Sequence, residues 1–423
     1  METAAVVEES LQEPGAGRGY RELFAIRDYV RLIVAQLVSD IGDGVYYLAL
    51  VWLMKILTGS GLYMSLMLAA ESVPVIIVGL FSGVVVDMRS KRRIMLLSDG
   101  ARFFLIAGLS VAVWLDVAQP WMLIASGIVL SSFSAFFNPC RTVAVKSIVP
   151  EELMIKATSL AQTLEVVTGF SAPALAAGLI LLGIPAAFLF DAATFAFSFI
   201  LIWRIGNPDM RTSQTGKINT ASIRQGLAQG LRTIASVALL RNLIVYLVIL
   251  NAILAPFSLL FPLYVDDAYK LSLGQIFFMA GILLGAVAAA SGFLGKVKRW
   301  LVVVGGIVLI VAGFSSLAFI HSFYLALFCL PMAGVGVAIV NVTLEALFIV
   351  KVPQDVLGTA SSMLRVLLQS AKPLSLLIAG GLLSVLSVRQ MFLVLSLSGI
   401  LLVVMLAFNR SIRSEDSPPA QEA

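Results

Sequence analysis

The chain has 423 residues, of which 60% are hydrophobic and only 13% charged. A soluble domain carries about a quarter charged residues, so this composition excludes a water-soluble globule and points to lipid as the solvent. The net charge of +5 is no argument for nucleic acid, because excess Lys and Arg in a membrane protein collects in cytoplasmic loops.

Residues 1–25 are polar and acidic (Glu2, Glu8, Glu9, Glu13) and lack the basic start and apolar core of a secretory signal, so they read as a cytoplasmic tail. Apolar runs able to cross a bilayer, about 20 residues each, then follow at 32–56, 63–86, 94–115, 121–143, 156–182, 185–204, 237–264, 273–295, 301–320, 323–349, 357–386 and 390–409. The pattern breaks at 205–236, where "NPDMRTSQTGKINTAS" reads as a linker and "IRQGLAQGLRTIAS" as an amphipathic helix on the cytoplasmic surface. Residues 410–423 form a second cytoplasmic tail. With both termini cytoplasmic, the outer loops hold only Lys55, Lys270 and Arg389 of the 29 basic residues, which is the expected bias. The expectation is an all-α integral membrane protein with twelve transmembrane helices in two pseudo-symmetric six-helix bundles, 26–204 and 237–409. Cys140 and Cys329 lie in apolar segments, which argues against a disulfide or a metal site.

An internal repeat supports the two halves. "VPEELMIKATSL" at 149–160 aligns without a gap on "VPQDVLGTASSM" at 352–363, and the same register puts Asn138 on Asn341. Both copies join an even span to the next odd one. Convergent chemistry at helix starts, a Pro followed by acids, is the plainer alternative. Two similar six-span halves around a site at the midplane describe a transporter in which one half rocks against the other.

Ionisable residues inside a span are costly and mark function by default. Gln36, Asp40, Asp43 and Tyr47 share one face of the first span, with Asp43 roughly 17 Å along it. Glu71 lies in the second span, Glu165 in the fifth, Asn341 and Glu345 in the tenth, and Arg365, Gln369 and Lys372 form a stripe on the eleventh. A carboxylate in low dielectric without a fixed partner can take up and release a proton. Asp43 and Glu165 are the first candidates for this role, then Glu71 and Asp40; the alternative is static pairing with Lys372 or Arg141. Gln36, Tyr47, Asn138, Asn341, Glu345, Arg365, Gln369 and Lys372 are candidates for lining a substrate cavity. Asp191 stands near a helix start, where a carboxylate can cap backbone groups.

"GVVVDMRSKRR" at 83–93 reads as the cytoplasmic turn between the second and third spans, its bases holding that turn inside. It resembles the loop signature of the major facilitator superfamily of transporters, with Gly83, Asp87, Lys91, Arg92 and Arg93 matching. Met88 departs from the Arg often found there, and the equivalent loop "GFLGKVKR" is degenerate. More narrowly, "AQLVSDIGDGVYYLAL", "SDGAR", "FFNPCRTVAVKSIVPEEL" and "FDAATF" resemble the branch of macrolide-type drug:proton antiporters and siderophore exporters. The resemblance implies a cytoplasmic gate in which Asp87 meets the start of the eleventh span, with Asp99 and Arg102 of "SDGAR" in the same gate; Arg141, at the inner end of the fourth span, is placed to pair with Asp87 or Asp99.

The expected function is a secondary active exporter of amphipathic small molecules, drugs or macrolide-like compounds, by proton antiport with alternating access. The alternative is an exporter or flippase of an anionic native substrate such as a siderophore or lysophospholipid, which would use Arg365 and Lys372. The expected setting is the bacterial cytoplasmic (inner) membrane. The expected partners are a small-molecule substrate, the lipid bilayer and protons, with no nucleic acid and with the chain acting as a monomer. No metal and no cofactor is expected, the proton gradient being the energy source. No nucleophile–base arrangement or Gly-rich phosphate loop points to an enzyme.

Overall fold

The computed structural model describes residues 16–206, 238–291, 297–352 and 357–408, with side chains except at 16–19, 79–88, 238–243, 349–351, 357–363 and 365. Nearly all of the linker expected over 205–236, and all of the tail expected over 410–423, lie outside the described residues. Every described element is a helix, one of them a short 3-10 turn at Glu151–Leu153.

The spans run Arg27–Thr58, Gly61–Met88, Lys91–Trp114, Pro120–Ile148, Met154–Leu182 and Ile184–Trp203 in the first half. In the second half they run Ala238–Leu254 continued by Phe257–Tyr264, Ala268–Ala290, Arg299–Phe319, Phe323–Leu327 continued by Leu330–Lys351, Leu357–Leu382 and Val388–Phe408. Eleven are long and apolar enough to cross a bilayer. In the remaining span, Leu357–Leu382, the stretch with described side chains from residue 366 on, Val366–Leu382, is apolar.

Three differences from the sequence reading have clear causes. Residues 16–25, expected as a polar tail, form a helix whose Leu23 is fully buried with Tyr29, Ile33, Val149 and Ala157. The seventh span is broken before Pro256, whose ring cannot donate to the helix ladder. The turn expected over 83–93 shrinks to Arg89 and Ser90, because both flanking helices extend into it. Ser90 accepts a hydrogen bond from the Arg93 N–H at 3.4 Å and so caps the third span.

The repeat has a structural counterpart. Val149 and Val352 end the fourth and tenth spans in the same extended conformation, and each N–H closes on the carbonyl four residues back.

The first span begins, and the twelfth ends, at what is called here the tail end of the molecule; the opposite side is the far end. Within the first half the third span packs on the sixth, the second on the fourth, and the first on the fifth and sixth. Across the halves, the second span packs on the eleventh and the fifth on the eighth. At the far end Leu383 presses on Gly61 and Ser65 on Gly380, where any Cβ would overlap the serine, so glycine is needed for so close an approach. Gly169 meets Met279 nearer the middle. A clamp adds to this closure: the Lys55 ammonium donates to the carbonyl oxygens of Pro262, at 3.0 Å, and Val265, at the end of the seventh span. Gly59, left-handed at φ 59°, ends the first span just beyond Lys55, its N–H bonding the Lys55 carbonyl at 2.8 Å.

Candidate functional site

The polar face of the first span meets partners from several helices. Asp40 accepts a hydrogen bond from Gln36 Nε2 at 3.3 Å and lies 3.9 Å from Arg141 Nη1 of the fourth span. Arg141, expected to pair with Asp87 or Asp99, therefore pairs with Asp40. One helical turn deeper, Asp43 Oδ2 lies 3.9 Å from Arg102 Nη1 of the third span. The Asp43 side chain is 35% exposed, yet its Oδ1 is buried without a hydrogen-bond partner.

Arg102 is the centre of a buried group. Its guanidinium stacks between the rings of Phe137 and Phe195, at 4.7 and 4.3 Å, and Nη2 donates to Asp99 Oδ1 at 2.5 Å. The second Asp99 oxygen accepts from Ser198 at 2.6 Å. Asp191 lies beside this group, fully buried, with Asp43 and Arg102 as the charged side chains that act on it. It sits seven residues into the sixth span, and its carboxyl faces Thr194 rather than free backbone groups at the helix start. Gly42 makes this convergence possible, since a Cβ there would overlap the Thr194 hydroxyl and stand 2.5 Å from Asp191 Oδ1.

Asp99 and Arg102 thus stand inside the bundle, eight and eleven residues from the start of their helix, away from the loop where the gate was expected. Lys91 is buried and Arg93 exposed at the tail end. Arg92 donates to the carbonyls of Ile202, at 3.3 Å, and Trp203, at the end of the sixth span. There a cation satisfies terminal carbonyls and complements the helix dipole. Gly83 and Asp87 lie in the last turns of the second span, but their side chains, like that of Arg365, fall outside the described residues.

Near the middle of the bundle the halves face each other across polar groups. The Tyr47 hydroxyl lies near Ser258 of the seventh span. Glu71 feels the charge of Lys372, but no ion pair within 4.0 Å joins them among the described residues. Glu165, Asn138, Asn341, Glu345 and Gln369 are exposed. A polar side chain deep in a span is stable facing water rather than lipid, which places these residues along an aqueous space. Toward the tail end a cavity of about 700 Å³ opens among the first, fourth and fifth spans. Its walls are mainly apolar (Ile33, Val145, Met154), with Gln36, Arg141, Lys146 and Glu151 among the polar points.

The sequence reading placed Asp40 and Asp43 on one face but did not join Asp43 to Arg102 and Asp191. No local pattern marks Gly42, Thr194 or Ser198 as members of the group. Acids at matched depths in the first and sixth spans were the only available signal.

The group contains no metal-ligand cluster: no set of three or more His, Cys, Asp or Glu among the described residues could hold a metal ion.

Comparison with known proteins gives this geometry a family. Multidrug efflux pump Tap of Mycolicibacterium fortuitum is 26% identical over 410 residues, covering 91% of this chain and 96% of that protein. Macrolide efflux protein A of Streptococcus pyogenes is 25% identical over 382 residues, covering 87% and 91%. Among solved structures, nucleoside transporter NupG superposes with a TM-score of 0.70 at 12% identity, covering 90% of this chain and 98% of that one. A bacterial homologue of the iron transporter ferroportin, in an inward-facing state, superposes with a TM-score of 0.67 at 19% identity, covering 91% and 98%. These two likenesses show the fold. The family model of the Major Facilitator Superfamily matches residues 32–375, and with twelve spans in two joined halves the chain belongs to that superfamily.

Proposed function

We propose that this transporter exports amphipathic small molecules from the cytoplasm by proton antiport, with the tail end cytoplasmic and the chain working as a monomer in a bacterial inner membrane. One observation carries the reading: the Asp43 side chain is 35% exposed, with Oδ2 3.9 Å from Arg102, while its Oδ1 is buried without a hydrogen-bond partner. A carboxylate so placed can trade its ion pair for a proton as the halves rock. Support comes from the efflux pumps to which the chain is similar along most of its length. The tail-end cavity has the mixture of broad apolar walls and a few polar points that suits varied amphipathic ligands. Contacts at the far end and an open cavity toward the tail end correspond to a conformation that loads substrate from the cytoplasm.

A second reading has its own observation. Lys372 makes no ion pair among the described residues, and Lys146 borders the cavity, with Glu151 as its acid; the two lysines are cations that suit an anionic substrate. Lys372→Gln cripples an anion carrier and spares a carrier of cations.

Inside-out vesicles with an acid interior test the first reading. Gradient-driven uptake of ethidium is expected for the wild type and lost in Asp43→Asn, with Glu165→Gln as the comparison. Absence of uptake by well-folded wild type rejects the drug-export reading. Full uptake by Asp43→Asn rejects the role of Asp43.

A further inference from the structure

The buried group around Arg102 has three carboxylates and one base. Asp99 is complete, with the guanidinium on one oxygen and Ser198 on the other. Asp43 has the longer contact to Arg102, and its side chain is 35% exposed. Asp191 remains, with no exposed surface and no base of its own. Its Oδ2 has no hydrogen-bond partner. An isolated carboxylate held this way is too costly to keep ionised, and such a group takes up a proton instead.

The hydrogen count at Thr194 points the same way. Its hydroxyl lies 2.7 Å from the Asp191 carbonyl oxygen and 3.3 Å from Asp191 Oδ1. A carbonyl oxygen only accepts, and at 2.7 Å it takes the larger share of the single Thr194 proton. The contact with Oδ1 then lacks a proton unless the carboxyl supplies one. The other groups around Asp191 are Asp43 and, from the same helix, Tyr46, whose hydroxyl pairs with Ser126 at 3.2 Å, together with Arg102. None of them is a second base.

We propose that Asp191 is a neutral acid donating its proton to Thr194 Oγ1, and that it is a second proton-binding position exchanging with the medium through Asp43. When Asp43 has released its own proton toward the cytoplasm, the Asp191 proton passes to the Asp43 carboxylate. The Asp191 carboxylate left behind is met by Arg102, whose Nε–H has no partner and is free to donate. Gly42, packed on Asp191 and adjacent to Asp43, keeps the two acids in one compartment. The transporter then moves two protons per turnover. This rests on the antiport reading, but its first test does not need transport.

The test uses the purified full chain in nanodiscs at neutral pH. Infrared spectroscopy should show the C=O stretch of a buried protonated carboxyl, lost in Asp191→Asn and retained in Asp43→Asn. Thr194→Val should shift the band to higher frequency, which decides the matter should Asp191→Asn fail to fold. Absence of an Asp191-dependent band, or of the Thr194→Val shift, overturns the neutral acid whether or not the protein exports drugs. Reversal-potential measurements in proteoliposomes should then give two protons per ethidium for the wild type and one for Asp191→Asn. An equal count in both overturns the second proton site and leaves Asp191 a structural acid.

Discussion

Replacing Lys55 by Met should weaken the far-end closure without disturbing either half. Lys55 is the last basic group of the first span and reaches carbonyls at the end of the seventh, which has turned extended at Val265. A hydrogen bond to a charged group contributes about 1.5–3 kcal/mol. Two such bonds at a partly exposed site, discounted for solvent screening, leave about 2 kcal/mol that favours the closed far end. Its loss should raise the far-open population about thirty-fold. The ring contact of Lys55 with Trp52, at 4.7 Å, does not change this figure, because both residues belong to one helix. The assay is thiol labelling at Leu383→Cys, in a chain whose two native cysteines, Cys140 and Cys329, are replaced by Ser. Residue 383 packs on Gly61 when the far end is shut, so a membrane-impermeant maleimide should react faster in Lys55→Met by roughly the population ratio. Equal labelling rates would refute the clamp, and slower labelling would reverse its sign.

Removing Arg102 leaves Asp99 as a buried carboxylate, so Arg102→Met should cost about 3–5 kcal/mol, read as a fall in the thermal midpoint of the purified protein. Adding Asp99→Asn, which keeps an acceptor for Ser198, should recover most of that loss. Gly42→Ala should destabilise by about 1–3 kcal/mol, because its Cβ overlaps Thr194; Gly178→Ala, where a Cβ meets nothing within 4 Å, should be neutral in the same melt. At the far-end loop, the Lys270 side chain bonds Asp266 at 2.6 Å and holds its carboxyl below the usual carboxylate range. A depressed acid contributes above its unfolded pKa and loses that contribution as pH falls through the folded value. Amide exchange around residues 266–270 should therefore speed up only at strongly acid pH, and Asp266→Asn should remove this dependence.

How far the sequence foretells this molecule follows from the range of each interaction. Burial of apolar runs and the side of the basic loops are properties of one helix at a time, and the twelve spans could be read from them. The helix break at Pro256 is equally local. Arg92 is a different case: its charge suggested a topogenic loop, whereas the structure turns it onto the carbonyls of Ile202 and Trp203. Nothing near position 92 encodes that contact. Asp99, Arg102 and Asp191 show the same limit. Periodicity gives the depth and face of each along its own helix, but their meeting depends on how the first, third and sixth spans pack. That packing in turn depends on a missing side chain at Gly42, and an absence leaves no hydropathic mark.

In the proposed antiport cycle the two charged assemblies divide the work. The far-end clamp is built from an ammonium and backbone carbonyls, so its strength does not depend on any carboxylate in the bundle. The Arg102 group lies within one half, and of its three acids only Asp43 has appreciable exposure. In that cycle, a change of protonation at Asp43 is the route by which the group's charge reaches its exposed side. On this view the clamp fixes the resting bias and Asp43 modulates it. Lys55→Met should then alter the ratio of conformers by the same factor throughout the pH range in which Lys55 stays protonated. Asp43→Asn should remove the pH dependence of that ratio while leaving the Lys55→Met increment intact. Additivity of the two substitutions in the labelling assay is the expected result, since sites that share no partner act independently; a strong interaction term would mean that the clamp and the proton site are a single device.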